Sequence, residues 1–228
     1  MPADAWRKRS DTAAASLSRL NAIVDVEAAL RAGRTAAALT AAFLAGGARF
    51  LQLRAKPMTG AAMLDAATRL VNAARQVGAT VIVNDRADIA RLSGADGVHV
   101  GQDDLAPSAV RRIVGDDAIV GLSTHTIDQV EAAVLEPVNY VAIGPIYGTS
   151  SKAVGYDPVG LDLVRAASVR TRARGLSLVA IGGITIDRAP DVIRAGADAV
   201  AVIGDLLSGS PEERVRDYVA RLAAIGRV

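Results

Sequence analysis

A chain of 228 residues, half of them apolar and few of them aromatic, is long enough to bury one sizeable core. A formal net charge of only +2, with no aromatic–basic platform, argues against a nucleic-acid surface, and no apolar run reaches the length of a membrane span. The absence of cysteine excludes a disulfide framework and a thiolate metal site. Residues 1–19 read as a loose, weakly basic tail without the apolar centre of a secretory signal, so the default compartment is the cytoplasm. Residues 20–228 read as one domain.

The pattern then alternates between strand and helix. A strand is predicted over 21–26, interrupted by Asp25 near its end, and Thr35 opens an Ala-rich helix that stops at Gly46 and Gly47. A strand over 50–54 leads to a long helix over 59–77, with apolar residues at helical spacing. Strands over 81–83 and 97–100 flank a short helix near 88–92. Helices are predicted over 107–114, 126–134, 159–173, 185–194 and 211–225. Strands fall between them over 119–122, 140–143, 176–181 and 198–203, and a polar loop spans 147–156. A Gly-Ala step recurs between helix and strand at Gly78, Gly94 and Gly196, where Gly suits the left-handed residue that ends a helix. About eight strand–helix pairs in strict alternation point to an α/β fold, a (β/α)8 TIM barrel of parallel strands with its site at their carboxyl ends. The rival, a doubly wound sheet, calls for a glycine fingerprint after the first strand, and none follows Val26.

Polar residues gather where the strands end. Val81-Ile82-Val83 stops at Asn84 and Asp85, and the next strand at Gly101-Gln102-Asp103-Asp104. Asp85 and Asp104 on neighbouring rims suit Mg²⁺, a hard cation that takes one or two carboxylates and bridges to phosphates. The plain alternative is a pair of solvated loop acids or helix caps. Gln52, Arg54 and Lys56 alternate, so an extended segment carries all three on one face, which beside a cation suits a diphosphate. Ala180-Ile181-Gly182-Gly183 and Ile203-Gly204 offer backbone N–H groups after strands seven and eight, where many barrels bind phosphate. These two regions imply two phosphorylated ligands or two phosphoryl groups. His99 reads equally as a core or a site residue, and His125 as a residue entering a helix; neither has zinc spacing.

The segments QLRAK, VIVND, DGVHVGQDD, GLSTHT, IGPIYGTSSK and AIGGIT, in this order, resemble thiamine phosphate synthase from about Leu20 to the carboxyl end. That resemblance implies a Mg²⁺-dependent transferase of thiamine biosynthesis. Such an enzyme joins 4-amino-2-methyl-5-(diphosphooxymethyl)pyrimidine to a thiazole ethyl phosphate and releases diphosphate. Carried over by motif, Gln52, Arg54, Lys56, Asn84, Ser123 and Lys152 would bind the pyrimidine diphosphate, with His99 and Gln102 supporting its pocket. Ser123 and Lys152 would serve the chemical step, and Asp85 and Asp104 would hold Mg²⁺. Thr149, Ser150 and Ser151, with backbone N–H groups of Gly183, Ile203 and Gly204, would take the thiazole phosphate. The chain departs from the family pattern in having Gly148 where Pro is common, Ser151 for Thr, Gly204 for Ser, and Ala55 for an acidic residue. A related barrel, thiazole tautomerase, keeps a thiazole phosphate site but not the full diphosphate site. Intact Gln52, Arg54, Lys56, Asn84, Asp85, Asp104 and the Pro145-Ile146-Tyr147 stretch with Lys152 favour the synthase. A non-catalytic phosphate-binding barrel is the third reading. Small phosphorylated substrates, no nucleic acid and no membrane are the partners expected; the sequence is silent on oligomeric state.

Overall fold

A computed structural model describes residues 17–148 and 157–226. Eight parallel strands close into a barrel in chain order, β1 pairing with β2 and so on round to β8 against β1. They are β1 (Leu20–Asp25), β2 (Phe50–Arg54), β3 (Thr80–Asn84), β4 (Gly97–Val100), β5 (Ile119–Thr124), β6 (Tyr140–Ile143), β7 (Ser177–Ile181) and β8 (Ala199–Val202). Around them lie α1 (Val26–Arg31), α2 (Ala36–Ala45), α3 (Gly60–Arg75), α4 (Ala87–Ser93), α5 (Pro107–Val114), α6 (Ile127–Ala133), α7 (Gly160–Arg172), α8 (Ala189–Arg194) and α9 (Pro211–Ala223). The fold is therefore the (β/α)8 barrel. None of the described helices is long and apolar enough to cross a membrane.

Parallel strands with both faces covered read as nearly unbroken apolar runs, and the period-two alternation divides them between two cores. Ala22 and Val24 pack outward against the helices, whereas Ile23 joins Phe50, Ile82, Tyr140 and Val179 inside the barrel. The interior is tight. A Cβ on Gly121 would overlap the Tyr140 ring, so that glycine is what admits a tyrosine to the barrel axis.

Local signals account for the boundaries. Side chains of Thr35, Thr59, Thr126 and Ser210 cap α2, α3, α6 and α9. The Gly-Ala-Asp steps do more than turn the chain. Asp96 Oδ2 accepts from Val81 N and Asp198 Oδ2 from Leu178 N, each at 2.8 Å, so each acid ties its own turn to the start of the preceding strand. Two elements differ from the sequence expectation. The short α1 was not anticipated; it forms because Asp25 ends β1 and its Oδ1 accepts from Ala28 N at 2.7 Å. The helix expected over 185–194 begins only at Ala189, since Ile186 N is drawn to Asp205 Oδ2 at 3.0 Å. Of the tail expected over 1–19, residues 1–16 lie outside the described residues. Leu17 packs on the inner core, and Arg19 donates to the carbonyls of Leu222 and Ile225 at the end of α9.

Candidate active site at the carboxyl ends of the strands

The cationic end is built by register. Asp25 pairs with Arg54 across β1 and β2, and both side chains emerge at the rim. Arg54 Nη1 lies 2.5 Å from Asp25 Oδ2 and 3.6 Å from Glu27 Oε2. Asp25 is buried to 1% exposure and also caps α1, so Arg54 is held by an acid that is itself fixed twice. The sequence offered only an acid interrupting a strand; its partner, 29 residues further along the chain, was the missing information. Gln52 is buried beside the barrel interior, and Lys56 is half exposed with Nζ 3.3 Å from Asp85 Oδ2.

Asp85 is the one residue other than glycine with a positive φ, 67°, among the described residues. Its N–H donates to His99 O at 2.7 Å, which turns the chain sharply off β3 and sets the carboxylate at the rim. Burial raises the Asp85 carboxyl above its ordinary value, the neighbouring Asp104 charge raises it further, and Lys56 opposes both. Asp104 Oδ2 accepts from Gly101 N at 2.7 Å, which turns this second carboxylate back toward the strand end. Two neighbouring carboxylates, one of them raised by the charge of the other and faced by a lysine, are a hard-oxygen donor pair suited to Mg²⁺. Among the described residues no cluster of three or more His, Asp or Glu is arranged for a metal, so water and ligand oxygens would complete such a site.

Between the two ends of the site runs a hydrogen-bonded chain. His99 Nδ1 lies 2.9 Å from Tyr140 Oη, and Nε2 lies 2.8 Å from Ser123 Oγ. The imidazole stacks on Tyr140 at 5.4 Å between centroids. Burial pushes the Tyr140 phenol far above its ordinary value, so it stays protonated. With the phenol donating to Nδ1, Nε2–H donates to Ser123, and the serine hydroxyl is left to donate outward. Gln102 Nε2 meets the Ser123 carbonyl at 2.6 Å, fixing the same residue from the backbone side. Asn84, the register partner of His99, is buried at 9% exposure.

A cavity of about 350 Å³ opens on the opposite side of Ser123. Gly183, Ile203 and Gly204 line it, as do Ser123, His125 and Asp205. Of the residues singled out in the sequence, the cavity therefore brings together Ser123 and the three backbone donors, while Gln52, Arg54, Asp85 and Asp104 lie outside its lining. His125 enters α6 one residue before its cap, Thr126, and in addition sets Nδ1 2.5 Å from Gly144 O and lines the cavity. Its N–H is held by Gln129 Oε1 at 2.7 Å. The loop after β6 is stitched to the loop after β7 by Ile146 N to Ile181 O at 2.9 Å and Tyr147 N to Gly182 O at 3.0 Å. Val159 N and Gly160 N return to Pro145 O and Ile146 O. Thr149, Ser150, Ser151 and Lys152 lie outside the described residues.

Asp205, whose side chain was given no role in the sequence reading, ties this end of the site together. Its carboxylate accepts two bonds from Arg214 Nη2 at 2.8 Å, one from Tyr218 Oη at 2.6 Å and one from Ile186 N. The loop after β7, the loop after β8 and α9 therefore share one acid as their hub.

Comparison with known proteins bears on this geometry. The family model described as thiamine monophosphate synthase matches residues 20–206. A thiamine-phosphate synthase of Chlorobium luteolum is 42% identical over 178 residues, covering 78% of this chain and 82% of that protein. One from Koribacter versatilis is 46% identical over 177 residues, covering 77% and 81%. Among solved structures, the thiamine phosphate pyrophosphorylase of Pyrococcus furiosus superposes with a TM-score of 0.80 at 24% identity, over 91% of this chain and 96% of that one, a likeness of fold.

Proposed function

The chain belongs to the thiamine monophosphate synthase family, and from that premise we propose that it is a cytoplasmic transferase acting on two small phosphorylated substrates. It joins 4-amino-2-methyl-5-(diphosphooxymethyl)pyrimidine to a thiazole ethyl phosphate, giving thiamine phosphate and diphosphate. The observation that carries this reading is the division of one barrel rim. An Arg54–Lys56–Asp85–Asp104 end suits a diphosphate, a glycine-lined cavity suits a second anion, and Ser123 stands between them.

The bond from the pyrimidine methylene carbon to the diphosphate oxygen breaks, and the electron pair leaves with diphosphate. The thiazole nitrogen lone pair then forms the new carbon–nitrogen bond. No side-chain nucleophile is required, so the residues act by position and charge. Arg54, held by Asp25, and Lys56 meet the leaving oxygens, with Lys152 assigned to the same task. Asp85 and Asp104 would hold Mg²⁺, which when bound neutralises charge on the diphosphate oxygens. Asn84, Gln102 and the His99-oriented Ser123 hydroxyl fix the pyrimidine end. Backbone N–H groups of Gly183, Ile203 and Gly204, with Thr149, Ser150 and Ser151, take the thiazole phosphate. Asp25 is a positioning residue: Asp25→Asn keeps a capping oxygen for α1 but removes the charge that holds Arg54. It should weaken pyrimidine diphosphate binding about tenfold and leave thiazole phosphate binding nearly unchanged in calorimetry.

The direct test incubates purified protein with both substrates and Mg²⁺, then omits each component in turn. Thiamine phosphate and diphosphate should appear in equal amounts only when all three are present. Conversion of the thiazole alone, without diphosphate release when both substrates are supplied, would replace this reading with a tautomerase. Binding of both ligands without turnover would replace it with a non-catalytic barrel.

A further inference from the structure

The cavity contains one Arg and no Lys among the described residues that line it, and that arginine is Arg188. It is held on two sides. Nη1 donates to Gly183 O at 2.9 Å, and the guanidinium lies 4.5 Å from the centroid of the Tyr147 ring. One edge is thus bonded to the loop after β7 and one face is stacked on the loop after β6, which leaves the other edge of a planar five-donor group to serve a ligand. Arg188 forms no ion pair among the described residues, although most arginines on the neighbouring helices do.

The second charged group lining the cavity is Asp205, an acid that would repel an anion. Its charge is answered from behind. Arg214 forks onto it, Tyr218 donates to it, and Ile186 N adds a third donor. The Tyr218 phenol is pushed well above its ordinary value by burial and by the bond to Asp205, so it remains a donor. With Asp205 matched by Arg214, the charge the cavity presents is that of Arg188. Gly204, standing where the family pattern commonly has Ser, offers a ligand in this cavity its backbone N–H and no hydroxyl.

We propose that Arg188 is the specificity-determining residue for the phosphate of the thiazole substrate, making the cavity select a phosphate monoester dianion over the corresponding alcohol. The assignment rests on the functional reading above for the identity of that ligand. A guanidinium with one edge already fixed loses little freedom on binding, and its free edge suits a forked bond to two phosphate oxygens. Backbone N–H groups alone recognise shape and partial charge; Arg188 adds the full charge that separates a dianion from a hydroxyl.

The experiment uses the full chain and needs no turnover. Calorimetry measures thiazole ethyl phosphate and the dephosphorylated thiazole alcohol against wild type, Arg188→Gln and Arg188→Lys, with circular dichroism as a fold control. Arg188→Gln keeps a donor toward Gly183 O but removes the charge. It should weaken phosphate binding about tenfold or more and leave alcohol binding unchanged, with Arg188→Lys in between. Raising the salt concentration should weaken phosphate binding to wild type more than to Arg188→Gln. Equal weakening of both ligands would mean that Arg188 only braces Tyr147 and Gly183, and the proposal falls; unchanged phosphate binding overturns it outright. A loss confined to the phosphate, in a protein that forms no thiamine phosphate, keeps the recognition role and removes the proposed reaction. Turnover with identical binding in all three proteins does the reverse.

Discussion

Replacing Asp85 or Asp104 by asparagine should lower turnover at limiting Mg²⁺ by about a hundredfold or more, since the charge neutralisation at stake is worth several kcal/mol. Asparagine is the right probe for Asp85 because the residue sits at φ 67°, a conformation that asparagine tolerates better than alanine does. At Asp104 it keeps an acceptor for Gly101 N. The two losses should resemble each other and the double variant should lose little more, because the pair acts as one site. Stability should move the other way. Burial and the Asp104 charge raise the Asp85 carboxyl in the folded protein, so the folded state holds that proton more tightly than the unfolded chain. The stabilising contribution is complete below the unfolded carboxyl range and is lost as pH rises through the folded value. At neutral pH the ionised group therefore opposes folding, and Asp85→Asn without metal should melt above wild type. The gap should close as the solution is acidified through the carboxylate range. Added Mg²⁺ should raise the melting temperature of wild type and not that of the variant. Unchanged turnover in both single variants, or an equal Mg²⁺ shift in both proteins, would remove the metal assignment.

The barrel was legible because its signals are local. Most strands are short runs dominated by Val, Ile, Leu or Ala, four of the helices open on a Thr or Ser cap, and Gly-Ala steps at Gly78, Gly94 and Gly196 mark three of the helix-to-strand junctions. The rim was legible for the same reason: Asn84, Asp85 and Ser123 interrupt apolar runs, and an interruption shows in one dimension. What stayed hidden depends on contacts between distant segments. Asp25 looks like an imperfection in a strand until its register with Arg54 is known. Asp205 and Arg188 look like ordinary solvated charges, yet one is clasped by α9 and the other lies across Tyr147. Tyr140 looked like the start of a strand, and its place against Gly121 and His99 follows only from closure of the barrel. The late start of α8 belongs with these, since the donor that delays it is captured by a residue beyond β8.

Gly183→Val should abolish most thiazole phosphate recognition while sparing the pyrimidine end, and two separate effects combine to make the loss large. Gly183 has φ 60°, where a β-branched residue is strained by about 1–3 kcal/mol. A Cβ there would also overlap Gly148 O and come within 2.8 Å of Tyr147 Cβ. Backbone cannot rotate away as a side-chain end can, so the loop after β6 must move, at a further cost of about 1–3 kcal/mol. That movement would break the bond from Tyr147 N to Gly182 O and take Tyr147 out from under Arg188. Where the whole of that cost has to be undone on binding, thiazole phosphate should bind about thirtyfold to ten-thousandfold more weakly, at about 1.4 kcal/mol per factor of ten. Gln52, Arg54, Asp85 and Asp104 stand on strands β2 to β4 and the loops that follow them, none of which the new side chain touches. Pyrimidine diphosphate should bind within about threefold of wild type, given that distant sites are usually independent. Gly183→Ala, with the same overlap but no branched carbon, should fall between the two proteins. Calorimetry with each ligand reads the difference, and the far-ultraviolet spectrum with a melting curve separates it from unfolding. Equal weakening of both ligands in a folded variant would mean that one anion region serves both substrates, and the division of the rim on which the proposed reaction depends would be lost.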